Sequence, residues 1–186
     1  NGVKVGVVGV TTPGLQSITG GYGGVTASPF AEAQVLTDEE LDATAAIVQQ
    51  EVDALLAATP DVKEVILTSH LQIFNYETRL AELLRDVDII IAGGSEIVTA
   101  DSNDILREGD VQSDVYPRFI NNAGGSQTAV VTEVGDYNYL GRLVIEFDDD
   151  GNILPASYDA EVSGTYATDA AGVSRLDAED LSDPQI

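Results

Sequence analysis

Apolar residues follow two different periods along the first half of the chain. Val3-Lys4-Val5-Gly6-Val7-Val8-Gly9-Val10 is a short run rich in β-branched residues, the pattern of a buried strand. Thr11-Thr12-Pro13-Gly14 halts it. A Gly-, Ser- and Thr-rich loop follows from Leu15 to about Phe30 and includes Gly20-Gly21-Tyr22-Gly23-Gly24. The period then changes. Leu41, Ala45, Val48, Val52, Leu55 and Leu56 recur at helical spacing and make one apolar stripe. Thr37 and Glu40 form a capping box ahead of that stripe, Asp38, Glu39 and Glu40 suit the helix dipole, and Pro60 ends it. Val62 to Ser69 predicts a second strand with His70 at its C-terminal end. A short helix is expected over about Tyr76 to Arg85, with Leu80, Leu83 and Leu84 inward. Val87 to Ala92 predicts a third buried strand that runs into Gly93-Gly94. Strand, helix, strand, helix, strand implies a sheet with helices packed on it.

Beyond Asp101 the pattern changes again. Asp101 to Tyr116 reads as a polar loop. Short strands are expected at Arg118 to Asn121, Ala129 to Val134 and Leu140 to Phe147. Asp148-Asp149-Asp150-Gly151-Asn152 is a turn, and Ile153 to Tyr158 returns from it. Turns between short apolar runs predict a meander of hairpins. Residues 161–186 carry few large apolar side chains and several acids, so they read as an exposed tail or a linker. The expected fold class is α/β, with a β-sandwich core.

Composition narrows the functions this chain can have. Its 186 residues include 32 acidic and 8 basic side chains, a formal net charge of −24. Nucleic-acid binding needs clustered Lys and Arg, so no nucleic-acid partner is expected. Charge does not draw the chain to an anionic membrane surface either. No segment reaches the roughly 18 apolar residues of a membrane span. There is no Cys, which excludes disulfides, thiolate nucleophiles and iron–sulfur clusters. With a single His, no multi-histidine metal site can form within the chain alone. Lysine depletion, acidic excess and the absence of Cys fit an exported bacterial protein, periplasmic or extracellular.

Three places could carry chemistry. His70 ends a buried strand, where open α/β folds place ligands. It reads either as a metal ligand or as a capped core histidine. Gly93-Gly94-Ser95-Glu96 follows the neighbouring strand. Its glycines allow close backbone approach, and Ser95 and Glu96 add oxygens. Asp101-Ser102-Asn103-Asp104 offers oxygen ligands for Ca²⁺ or Mg²⁺, or is simply a solvated loop. The Asp148-Asp149-Asp150-Gly151 run opens like a calcium loop but lacks the full pattern, and the Gly-rich loop lacks the Lys and spacing of a phosphate cradle.

The motifs in order resemble a known family. They are V-G-V-V-G-V-T-T-P, then V-I-L-T-S running into His70, Leu71 and Gln72. L-A-E-L-L and D-I-I-I-A-G-G come next. Tyr116-Pro117, the stretch A-V-V-T-E-V-G-D-Y-N-Y-L-G-R-L-V-I-E-F and D-D-D-G-N complete the series. From Val3 to Tyr158 this resembles the second half of the catalytic domain of bacterial 5′-nucleotidases, in the calcineurin-like metallophosphoesterase superfamily. The resemblance implies part of a β-sandwich flanked by helices in αββα layers. It also implies a centre of two divalent metal ions (Zn, Mn, Ca or Mg) at one edge of that sandwich. There the ions would activate water against a nucleotide or another phosphomonoester. By the same resemblance His70 falls on a metal-binding His, and Gly93 and Gly94 fall on the glycines of a Gly-Gly-His-Ser-His motif.

The departures are specific. Ser95 and Ile97 stand where the motif has its two histidines, so Ser95, Glu96 or Asp101 would have to supply oxygen instead. The family's Asp-x-His, Gly-Asp-x-x-Asp and Gly-Asn-His-Glu motifs do not occur in this sequence. Residues 1–160 are therefore expected to be the C-terminal half of a metallophosphoesterase domain. Its main partner would be the remaining half of that domain, and the chain alone is expected to be inactive. The competing expectation is a non-catalytic acidic extracellular module that keeps the fold, for binding or for structure. A third is a Ca²⁺-stabilised structural domain.

Overall fold

A computed structural model describes residues 2–20, 24–30 and 35–176. Gly21, Tyr22 and Gly23 of the glycine-rich loop, and residues 177–186 of the expected tail, lie outside these. The elements run β1 (Val5–Thr11), α1 (Leu15–Ile18), α2 (Asp38–Ala58), β2 (Glu64–His70), α3 (Phe74–Leu83) and β3 (Ile89–Ala92). Then come β4 (Thr99–Ala100), β5 (Asp114–Val115), β6 (Arg118–Asn121) and β7 (Gln127–Thr132). The last are β8 (Tyr139–Arg142), β9 (Glu146–Phe147), β10 (Ile153–Leu154), β11 (Gly164–Ala167) and α4 (Ala170–Arg175). The main sheet has the order β1-β2-β3-β7-β6, parallel except for β6. The α/β class expected from the alternating periods is present.

The capping box forms at the start of α2. The Glu40 amide donates to Thr37 Oγ1 at 3.2 Å and the Thr37 amide to Glu40 Oε2 at 2.9 Å, which satisfies two N–H groups that helices leave unpaired. Leu41, Ala45, Val48 and Val52 of α2, with Phe74, Leu80 and Ala81 of α3, pack on Val65, Leu67, Ile90 and Val130 of the sheet.

The two faces of the sheet differ. Along β2, Val65, Leu67 and Ser69 are buried under the helices, while Ile66, Thr68 and His70 look the other way. On that second face the described residues leave Val5, Val7 and Ile91 exposed at 48%, 60% and 47%, and Ile66, Ile89 and Val131 half-buried. Strands that are apolar on both faces belong to sheets covered on both faces. Here the described helices cover one.

The expected meander is only partly present. β6 pairs with β7, and β9 pairs with β10 around the Asp148–Asn152 turn. The run expected as one strand from Leu140 to Phe147 is two short strands, and β8 pairs with β11. Within the stretch 161–186, read as an exposed tail or linker, the described residues form β11 and α4. All four residues of β11 are buried, and α4 follows it. Gly164, Thr165 and Ala167 are too small to register as a hydrophobic run, yet backbone pairing with β8 seals them in. Leu15–Ile18, read as loop, forms one helical turn.

Candidate functional site

Parallel pairing of β1, β2, β3 and β7 brings four strand ends to one edge. His70 ends β2, level with Thr11 at the end of β1. Its carbonyl accepts from the Thr12 amide at 2.9 Å, and the Ser69 carbonyl accepts from the Gly93 amide at 2.8 Å. The imidazole is exposed and lies across Gly93 and Gly94. A Cβ on Gly93 would stand 2.9 Å from Nδ1, and one on Gly94 would stand 2.9 Å from Nε2 and 3.1 Å from Cε1. Gly94 also has φ +83°, a region side chains disfavour. The glycine pair therefore leaves the room the ring occupies. The ring borders a shallow depression of about 550 Å³ lined by Gly9, Thr11, Thr68, Ile91 and Gly93, on the face that the helices do not cover.

The other expected residues are placed differently. Ser95 is buried, 3% exposed, with Oγ 3.0 Å from Thr132 Oγ1. Glu96 is exposed and lies along Gly135, beyond β7. Asp101 accepts from the Asn103 amide at 2.7 Å and from the Tyr158 hydroxyl at 2.6 Å, which organises its own loop. So the fold gathers His70, Gly93 and Gly94 and turns the Ser95 hydroxyl inward.

Two acids near this edge escaped the sequence reading. Glu77, on α3, is fully buried beneath the His70 loop. Its Oε1 accepts from Ser69 Oγ at 2.9 Å and from the Leu71 amide at 3.0 Å. Its signal is an acid at helical spacing with Phe74, Leu80 and Ala81. Glu133 follows β7, and its Oε1 accepts from Thr165 Oγ1 at 2.9 Å. The second carboxyl oxygen of each has no hydrogen-bond partner among the described residues.

Burial raises the pKa of these acids. Loss of solvent pushes Glu133 up to about 8, with the Asp104 charge adding to it and the Thr165 hydroxyl opposing. Asp88, whose carboxylate accepts from the Val65 amide at 2.7 Å, is pushed up to about 7, again mainly by burial. Glu77 is raised for the same reason. A raised carboxyl pKa means the folded state holds its proton at pH values where the unfolded chain has lost it. Stability then rises as pH falls from about 8, until the unfolded carboxyls protonate near pH 4. Melting of this chain should therefore move up between pH 8 and pH 5, by on the order of 3 kcal/mol. That corresponds to roughly 6–12 °C for a chain of this size. Calorimetry across that range checks it, and a flat or falling Tm would contradict it.

Among the described residues, no group of three or more His, Asp or Glu side chains is placed to hold a metal ion. His70 stands as a single imidazole with Ser95 turned away, so this segment by itself does not fit a metal centre.

An open α/β sheet that presents a histidine and two glycines at its C-terminal strand edge belongs to the class whose ligands bind beyond the strand ends. No protein-family model matches the chain. In sequence it is 34% identical over 106 residues to a 5′-nucleotidase of Mus musculus, covering 57% of this chain and 18% of that protein. In structure it matches a 5′-nucleotidase precursor from Thermus thermophilus with a TM-score of 0.65 at 22% identity, over 96% of this chain and 32% of the other. It matches an NAD nucleotidase of Haemophilus influenzae with a TM-score of 0.60 at 18% identity, over 97% of this chain and 31% of the other. In sequence and fold the chain is similar to 5′-nucleotidases. It spans about a fifth of the mouse protein and about a third of each structure.

Proposed function

We propose that this chain is part of an exported phosphoester hydrolase of the 5′-nucleotidase type. In this reading His70 is one metal ligand of a centre whose other ligands come from outside these residues. Nucleotides, or other phosphomonoesters, are the substrates. The observation that carries the reading is the His70 ring lying over Gly93 and Gly94 at the strand edge, on the sheet face that the described residues leave open. That face, with Val5, Val7, Ile66, Ile89 and Ile91, takes the remaining half of the domain. What this chain supplies is position. Its glycines let substrate and backbone come close, and its open face seats the half that brings the rest of the site. No helix among the described residues is long and apolar enough to cross a membrane.

The buried Ser95 hydroxyl favours a second reading, in which the fold serves as a non-catalytic acidic binding or structural module. Hydrolysis separates the two. The complete protein, assayed with nucleoside 5′-monophosphates and Mn²⁺, Zn²⁺, Ca²⁺ or Mg²⁺, should release inorganic phosphate. No release with any of these ions would reject the hydrolase reading.

A further inference from the structure

We propose that Glu77 is the positioning residue of the His70 loop: one buried carboxyl oxygen holds both neighbours of His70 and so sets where the imidazole stands. The proposal rests on the reading of His70 as the functional group of this edge. Glu77 Oε1 accepts from the side chain of Ser69 at 2.9 Å and from the backbone of Leu71 at 3.0 Å, one residue on each side of His70. The same loop is tied at two further points, Thr12 to the His70 carbonyl and Gly93 to the Ser69 carbonyl. After these contacts the backbone leaves through Gln72 in a left-handed conformation, φ 69°. A residue that bulky rarely takes that conformation unless its surroundings impose it.

Packing alone does not account for an acid here. Glu77 is 0% exposed among Phe74, Leu80 and Ala81, and Oε2 is left without a partner among the described residues. An apolar side chain would fill this position without the cost of burying a carboxyl. What only a polar side chain can do is accept both hydrogen bonds of the loop. Ser69 and Leu71 are buried while His70 between them is exposed, so the clamp leaves the ring free to act.

His70 is the sole histidine, which makes the test direct. In the ¹⁵N-labelled chain its ring gives one set of imidazole signals, and contacts between its ring protons and the α-protons of Gly93 and Gly94 report its position. Glu77→Gln keeps a carbonyl acceptor at Oε1. It should preserve the ring tautomer and those contacts. Glu77→Ala removes the acceptor. The ring signals should shift or split, the glycine contacts should weaken, and exchange of the Leu71 amide should rise about tenfold. Spectra are compared where each variant is fully folded, so lost stability alone does not move them. Ring signals and glycine contacts in Glu77→Ala that match the wild type would overturn the proposal. Should Glu77→Ala fail to fold, Ser69→Ala removes one of the two donors and decides in the same way. These spectra do not depend on hydrolysis. A hydrolase reading that fails in the phosphate assay is thus distinguished from a clamp that fails here.

Discussion

Replacing His70 by alanine in the complete protein should lower kcat/KM for phosphoester hydrolysis by at least about a hundredfold and leave the fold intact. The two halves of that expectation have separate causes. The imidazole is exposed and rests on glycines, so its removal leaves no apolar cavity. Surface truncations of this kind cost within about 0.5 kcal/mol. Its backbone contacts, to Thr12 through the carbonyl and to Gly93 through the preceding residue, do not involve the ring. The loss of rate follows from position. The imidazole stands at a strand end with its Nε2 3.5 Å from Gln72 Nε2, and among the described residues no group of three or more His, Asp or Glu side chains is placed to hold a metal ion. Unchanged hydrolysis would show that His70 only caps its strand, and no hydrolysis in either protein would favour the binding module. Steady-state kinetics paired with thermal melting gives both measurements.

The second large effect concerns stability. Arg175→Ala should destabilise the chain by about 3 kcal/mol, within the range for breaking a buried ion pair from one side. The Asp104 carboxylate is fully buried and accepts from Arg175 Nη1 at 2.5 Å, the Thr165 amide at 3.0 Å and the Asp101 amide at 2.7 Å. Arg175 also donates to the carbonyls of Ser163 at 3.0 Å and Thr165 at 3.2 Å, and its guanidinium stands 4.3 Å from the centre of the Tyr166 ring. Alanine removes all of these and leaves a buried charge with only backbone donors. Arg175→Lys should recover part of the loss, because one ammonium cannot span the same acceptors from a planar fork. Combining Arg175→Ala with Asp104→Asn should also recover part of it, since no charge is then buried alone. Urea denaturation checks this. A loss below about 1 kcal/mol, in the range of surface pairs, would show that the ion pair does not hold β11 and α4 in place.

That prediction falls in the segment least legible in the sequence. Residues 161–176 are short of large apolar side chains, and their stability is tertiary. β11 is buried because β8 pairs with it, and α4 is held because Arg175 reaches Asp104, 71 positions earlier in the chain. No local period announces a contact of that kind. Glu77 was missed for a related reason. An acid on a helix is normally solvated, and only the docking of α3 beneath the β2 loop shows that its acceptor is used. Ser95 shows the converse. Its type and place suggested an oxygen at the site edge, but whether a hydroxyl faces the edge or the core depends on how the chain turns after Gly94. Here it turns toward Thr132.

Local chemistry was decisive elsewhere. The capping box and apolar stripe of α2, the β-branched runs of the first three strands, and the glycine pair after β3 are short-range signals, and each element formed close to where they placed it. The order of those elements also determined the α/β class, because alternating periods leave few ways to cover a parallel sheet. Tertiary structure alone decided which groups meet. Parallel register set His70 beside Gly93 and Gly94, buried Glu77 under it, and left one apolar face of the sheet open among the described residues. Contacts between distant residues depend on the packing of whole elements, whereas turns, caps and periods depend on neighbours a few positions away.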